Sequence, residues 1–135
     1  MKCDIAVLAD AANVSREGKL NICGIFKNIY SAQLPLQWPI MVMALQLGFD
    51  KSEKGKQHTL GVKLVGPDGK AIQQLPDLNI DIAADTPGEM PGLPITLNLI
   101  NVGLATYGVY RFELTANGDA LGEVVFEVGP PPAQN

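Results

Sequence analysis

The sequence predicts an all-β protein, specifically an antiparallel β-sandwich of about eight strands that is immunoglobulin-like or C2-like in architecture. Short segments of alternating apolar and polar residues recur, and turn residues separate them roughly every ten positions. No segment combines helical periodicity with capping residues. A chain of 135 residues is long enough to bury one core, so we predict a single domain over residues 1–129 and a Pro-rich tail over 130–135.

The first two segments predict a hairpin. One face of residues 3–9 and one face of residues 20–26 are mostly apolar, and these faces consist of Cys3, Ile5, Val7 and Ala9, and of Leu20, Ile22, Gly24 and Phe26. Asp10 and Asn13 should follow the first strand and hydrogen-bond the turning backbone, while Gly18 takes a positive φ.

The most apolar segment, residues 40–49, predicts a strand that is buried on both faces, because its apolar residues do not alternate with polar ones. Pro39 before it and the lack of a capping residue favour a strand over a helix. One parity of this segment would form a self-association strip if nothing in the fold covered it: Met41, Met43, Leu45, Leu47 and Phe49.

The remaining chain predicts further strands over 58–65, 71–82 broken at Pro76, 95–102, 107–116 and 120–129, with the longest loop over 83–92. In the last hairpin, Asn117-Gly118 indicates a two-residue turn, whereas the buried faces require Tyr110 opposite Phe126. A bulge beside the turn would satisfy both requirements.

Composition argues against several classes of partner. The formal net charge is −4 and the ten basic residues are scattered, so we predict no nucleic-acid binding. Asp4 and Asp10 interrupt the apolar residues near Met1, so neither a signal peptide nor a membrane span is expected. In the predicted hairpin, Cys23 lies opposite a residue near Ala9 and therefore far from Cys3. This spacing predicts free, buried thiols and a cytoplasmic location.

Catalytic chemistry has few candidates. The single histidine, His58, has no nucleophile set beside it by a known motif, and we expect it to be a partly shielded residue at a sheet edge. One His and two Cys are fewer than the four ligands of a structural zinc site, and no phosphate-binding glycine loop is present. We therefore predict no catalytic residues, no cofactor and no enzyme activity.

Acidic and amide side chains near predicted loops provide the alternative hypothesis. If the strands alternate up and down, one end of the sandwich collects acidic and amide residues whose hard oxygen ligands suit calcium: Asp10 and Glu17, Asp50 and Glu53, Asp85 and Glu89, and Asn117 and Asp119. Asn13 is a further polar candidate beside Asp10. Trp38, between two prolines, offers a stacking surface for a carbohydrate, although a lid over the core is the more common role of such a residue.

Two stretches carry a resemblance to a known family. Leu8-Ala9-Asp10-Ala11-Ala12-Asn13-Val14 and Gly18-Lys19-Leu20-Asn21-Ile22-Cys23-Gly24-Ile25-Phe26 resemble the N-terminal signature of a bacterial and phage-associated family of small proteins, catalogued only as a domain of unknown function. The similarity continues through Val65-Gly66-Pro67-Asp68-Gly69 and a closing Gly-x-Tyr hairpin, Gly108 to Tyr110, while Cys23 stands where a larger aliphatic residue is expected. The resemblance implies the fold and no specific activity.

The sequence therefore predicts a non-enzymatic binding module. Its expected partner is a protein, with a homodimer as one option, and neither nucleic acid nor membrane is expected. The alternative is a calcium- or carbohydrate-binding sandwich that uses its acidic loop end.

Overall fold

The computed structural model describes residues 1–133 and confirms an all-β fold. Within that range it has ten strands and a short 3-10 turn at Lys51–Glu53. The strands are β1 (Lys2–Val14), β2 (Leu20–Phe26), β3 (Asn28–Tyr30), β4 (Leu36–Gly48), β5 (Gln57–Val65), β6 (Ala71–Gln74), β7 (Leu78–Asp81), β8 (Gly92–Leu104), β9 (Gly108–Ala116) and β10 (Asp119–Gly129). Residues 134 and 135 of the predicted tail lie outside the described residues, and 130–133 have no regular structure.

The strands form two sheets. The four-stranded sheet has the order β2-β1-β4-β8 and is antiparallel throughout. The six-stranded sheet has the order β3-β10-β9-β5-β6, with β7 also pairing with β5. Its one parallel pair is β3 with β10, because the chain passes from one sheet to the other between β2 and β3. Among residues 1–133 no helix is long and apolar enough to cross a membrane.

The core lies between the two sheets. Tyr110 stacks on Phe126 with ring centroids 5.4 Å apart, and Phe112 lies 5.7 Å from Phe126. Met41 and Leu45 of β4 face these rings from the other layer and are fully buried. The predicted Met-rich strip is therefore the interior face of β4, and the hypothesis that it mediates self-association is wrong.

The last hairpin confirms the predicted register. Tyr110 pairs with Phe126 and Asn117-Gly118 forms the turn, while a bulge between Ala120 and Gly122 restores the facing of the side chains. The Tyr110 hydroxyl donates to the Thr106 carbonyl at 2.6 Å, which is the arrangement of a tyrosine corner in β-sandwiches.

The first strand differs from its prediction. β1 extends to Val14, so Asp10 and Asn13 lie within the strand and do not follow it. A register shift between Cys3 and Ile5 turns Cys3 to the opposite side from Ile5, and the two do not share a face as predicted.

The strand over residues 40–49 is confirmed and Met41 to Leu45 are buried, but Ile40 is 52% exposed on the outer face, so the prediction that both faces of the whole segment are covered is only partly confirmed. Near one end of β8 the alternation of buried and exposed side chains changes, because Asn101 takes a φ of +54°. Ile100 is therefore exposed, whereas Val102, two positions further along, is buried.

Candidate functional site

Only part of the predicted acidic end comes together: the loop after Asp50 bonds to the loop that holds Asp85, whereas Asp10 and Asn13 lie elsewhere. Asp10 and Asn13 lie in β1, where Asn13 pairs with Asn21 of β2. Asp50 follows Gly48, which pairs with Lys2 at the opposite end of β1. Eight residues of extended chain separate Lys2 from Asp10, about 26 Å. The expectation that Asp10 and Asn13 join Asp50 at one end is therefore wrong.

Two lysines that follow Asp50 contact the loop before β8. Lys51 Nζ lies 3.5 Å from a carboxylate oxygen of Glu89, and Lys54 Nζ donates to the Gly88 carbonyl at 2.5 Å. Asp85 lies in a turn between β7 and β8 and is exposed. Across residues 1–133 no group of three or more His, Cys, Asp or Glu side chains is arranged to hold a metal ion.

Glu53 is the most constrained carboxylate in this loop. It contacts the amino terminus, and it accepts a hydrogen bond from the Asp50 N–H at 2.9 Å. Burial acts to raise the pKa of Glu53, but these hydrogen bonds and the positive charge beside it outweigh burial, and the pKa is lowered.

His58 is buried and does not lie at an edge, which corrects the expectation of a partly shielded edge residue. It pairs with Ile80 of β7, and its ring lies 5.2 Å from the ring of Phe49. Its Nε2 is 3.2 Å from the Glu53 carbonyl, and its Nδ1 is 4.0 Å from the Glu53 carboxylate. Its contacts are those of a structural residue between the loop and the core.

Asp119 and Trp38 also have structural settings. Asp119 opens β10 opposite Ala116, beside the Asn117 turn that bonds to the Thr59 backbone. Trp38 lies inside β4, not before it, and packs half-buried against the core opposite Val102. This placement fits the lid role better than an exposed carbohydrate platform.

A groove of about 850 Å³ lies at one end of the molecule. It lies where the β5–β6 turn and the β8–β9 loop meet the segment before β4, and its walls include Pro35, Pro67, Ile72, Leu104 and Tyr110. The Tyr110 side chain in this groove is buried, and its hydroxyl already bonds to Thr106. None of the six predicted site residues lines this groove; Gln37, which does, precedes Trp38 in the chain.

The outer face of the four-stranded sheet is the most distinctive surface. Residues paired across an antiparallel sheet point to the same side, so the strand registers identify this face. We call it the uncharged face: Ile5, Val7, Ala9, Ala11, Cys23, Ile25, Ile40, Val42, Ala44, Gln46, Pro94, Thr96, Asn98 and Ile100. None of these fourteen residues carries a charge; the charged side chains of Lys2 and Asp4 lie over Gly48, at one end of this face.

Four isoleucines of the uncharged face project into solvent. Ile100 is 64% exposed, Ile25 59%, Ile40 52% and Ile5 43%. Ala9, Val42 and Ala44 lie between them and are buried, which leaves a smooth centre with a raised apolar rim. Monomeric soluble proteins rarely expose a continuous apolar surface of this kind, and larger ones mark interaction sites.

The outer face of the six-stranded sheet has the opposite character. Glu113 Oε1 lies 3.1 Å from Arg111 Nε, and its Oε2 lies 3.8 Å from Lys63 Nζ. Glu123 lies 3.9 Å from the same Arg111 Nε. We call this the charged face; Val109, Val125 and Tyr30 are exposed apolar residues on it.

Sequence reasoning missed the uncharged face. The relevant signal was that both parities of residues 20–26 are apolar: Ile22 and Phe26 face inward, while Cys23 and Ile25 face outward. A strand exposed on one side normally carries polar residues there. Cys23 is accordingly exposed and Cys3 half-buried, so the two thiols are free as predicted but not both buried.

The fold and its surfaces define an all-β, two-sheet sandwich in which no described group points to a metal site. The chain belongs to a family of unknown function, DUF6941, whose model matches residues 4–129. No curated protein matches it in sequence.

Parts of three solved structures are similar to this chain. The alkylpurine DNA glycosylase AlkC of Pseudomonas fluorescens, bound to DNA containing an abasic-site analogue, is 11% identical with a TM-score of 0.49, covering 92% of this chain and 30% of that one. A β-glucosidase from Listeria innocua is 12% identical with a TM-score of 0.49, covering 76% of this chain and 14% of that one. A putative β-galactosidase from Bacteroides fragilis is 14% identical with a TM-score of 0.36, covering 70% and 14%. This chain thus spans less than a third of each of these proteins, and similarities this distant carry no argument about function.

Proposed function

We propose that this domain acts by binding another protein, without catalysis, and that the uncharged face is its binding surface. The observation that carries the proposal is the set of four exposed isoleucines among the fourteen residues of the uncharged face, with Lys2 and Asp4 at one end. The centre of a protein interface is depleted of charge and rich in large apolar side chains, with polar residues at the rim. Gln46, Thr96 and Asn98 supply uncharged hydrogen-bonding groups on this face.

The surroundings of the other polar residues support binding over catalysis. His58 is buried behind the Glu53 loop, where Glu53 contacts the chain terminus and Glu89 pairs with Lys51. We also propose a cytoplasmic location, which the free thiols of Cys3 and Cys23 favour, and a bacterial or phage-associated origin, which the resemblance of the first hairpin favours.

The test compares matched double variants. Ile25→Lys/Ile40→Lys places two charges on the uncharged face, and Val109→Lys/Val125→Lys does the same on the charged face at residues of similar exposure, 54% and 42%. Immobilised wild-type protein and both variants are incubated with lysate of the source cell, and retained proteins are identified by mass spectrometry. We expect proteins retained by the wild type and the Val109/Val125 variant to be lost from the Ile25/Ile40 variant.

The reverse pattern contradicts the proposal. If the Val109/Val125 variant alone loses the retained proteins, the charged face binds them. If both variants retain the same set as the wild type, neither face does. Circular dichroism melting curves for the three proteins show whether each variant is folded.

A further inference from the structure

The exposed edges of the two sheets differ in how they are protected. Natural β-proteins prevent edge strands from pairing with other chains by keeping them short, by bulges, or by charges and prolines. β3 has three residues, and β6 and β7 have four each with Pro76 between them. β2 is interrupted at Gly24, which takes a φ of +75°, with the Asp10 side chain packed against it.

β8 is the longest of these edges and its pairing with β4 has no bulge, although Leu75 to Leu78 of the other sheet line a crevice beside Leu97 to Leu99. It is thirteen residues long and contains no charged residue. One side of its backbone pairs with β4. The hydrogen bonds of residues 1–133 include none from the other side of β8 to another segment. A long uncharged edge of this kind is a template for an additional strand.

Two residues limit the length of edge that is available. Pro94 has no N–H, so it fits a ladder only where its nitrogen points away from the neighbouring strand. Because the orientation of backbone groups alternates, the N–H and C=O groups of Thr96, Asn98 and Ile100 then also point outward. Asn101, with its φ of +54°, bends the strand beyond Ile100. The usable edge is therefore residues 95–100.

We propose that this edge pairs with the same edge of a second copy. The two β8 strands run antiparallel about a two-fold axis at Asn98, and the two four-stranded sheets become one sheet of eight strands. This register places Thr96 of one copy opposite Ile100 of the other, and all three outward-facing residues exchange backbone hydrogen bonds, about six in total.

The side chains of the segment suit pairing with an identical strand. Leu97 of one copy lies opposite Leu99 of the other on the core side, and Asn98 lies opposite its own counterpart on the outer side. Like charges opposite each other destabilise a strand pair, and this segment has none. The same face of both sheets points to the same side, so the dimer doubles the width of the uncharged face.

Charge reversal at the axis tests the proposal. Asn98→Lys places two ammonium groups opposite each other, and Asn98→Asp places two carboxylates there, whereas a mixture of the two variants pairs opposite charges. Sedimentation equilibrium from about 1 to 100 μM measures the mass, which should be about twice 14.4 kDa for the wild type, about 14.4 kDa for each variant alone, and again doubled in the mixture.

Three further measurements distinguish pairing through this edge from other causes of dimerisation. Asn21→Lys, an exposed asparagine in the edge strand β2, should leave the dimer intact. The amides of Thr96, Asn98 and Ile100 should exchange with deuterium more slowly as the protein concentration rises. The Ile25→Lys/Ile40→Lys variant should still dimerise, so loss of the proposed binding face and loss of the dimer are distinguishable.

Three results would overturn the proposal: a wild-type mass of one chain at about 100 μM, a dimer that persists in both Asn98 variants, or a mixture that stays monomeric. If the wild type is monomeric but binds another protein through β8, the edge accepts a foreign strand and the second-copy proposal is wrong.

Discussion

The two outer faces of this sandwich show two ways of building the solvent side of a sheet. On the charged face, Lys63, Arg111, Glu113 and Glu123 form a network of ion pairs over the strands. On the uncharged face, the corresponding positions hold isoleucine, alanine and valine. Because both faces cover the same core, the fold does not need an uncharged outer face for its stability. This difference is the reason for assigning the uncharged face to binding.

The largest contrast should come from placing the same substitution on both faces. Val42 and Val65 are 4% and 2% exposed, and Val65 pairs with Arg111, whereas the neighbours of Val42 on its face are uncharged. A buried carboxylate without a partner is strongly destabilising, so Val42→Asp should cost about 3 kcal/mol. Val65→Asp can pair with Arg111 and should cost at least about 1 kcal/mol less.

Urea denaturation of the two variants at pH 7 measures both free energies of unfolding. The wild type supplies the reference, and Val42→Ala shows how much of the loss comes from volume alone. Equal losses for Val42→Asp and Val65→Asp would mean that the two faces do not differ electrostatically.

A smaller effect should come from the ion pairs of the charged face. Glu113→Gln removes the shared partner of Lys63 and Arg111, whose side chains are each 43% exposed. Exposed pairs contribute little, so we expect a loss of about 0.5 kcal/mol at low salt that disappears near 1 M salt. Thr96→Val on the uncharged face should show the same stability change at both salt concentrations. A salt-independent Glu113→Gln effect would contradict the ion-pair interpretation.

The smallest effect should be one that is present at neutral pH and lost in acid. The uncharged face has no carboxylate, so acid sensitivity should arise elsewhere, and Glu53 is the described carboxylate with a lowered pKa. A carboxylate whose pKa is lower in the folded state stabilises the fold above its unfolded pKa, near 4.5, and this stabilisation is lost as the pH falls through the folded value. Glu53→Gln should therefore lower the melting temperature at pH 7, and its difference from the wild type should shrink by about pH 3. A constant difference across that range would exclude Glu53 as the cause.

Periodicity and turn chemistry predicted much of this fold. The alternation of β9 and β10 determined the Tyr110–Phe126 register, and Asn117-Gly118 predicted the turn, because both depend on local geometry. The length of β1 could not be predicted, since Asp10 and Asn13 are typical turn residues and only pairing with β2 keeps them in a strand.

The candidate site was harder to predict because it depends on which face of each strand turns outward. The register shift beside Cys3 and the positive φ of Asn101 change which side chains of β1 and β8 point outward. Neither a cysteine nor an asparagine requires such a change. The outward position of Ile25 or Ile40 follows only from the pairing of four strands, which brings together residues up to 95 positions apart, from Ile5 to Ile100.

The most direct test of the binding face is site-specific photo-crosslinking in the source cell. A photoreactive phenylalanine analogue replaces Ile25 in one protein and Val109 in another, two side chains that are 59% and 54% exposed on opposite faces. The account predicts protein adducts from position 25 and none from position 109. Adducts from position 109 alone, or equal adducts from both positions, would contradict it.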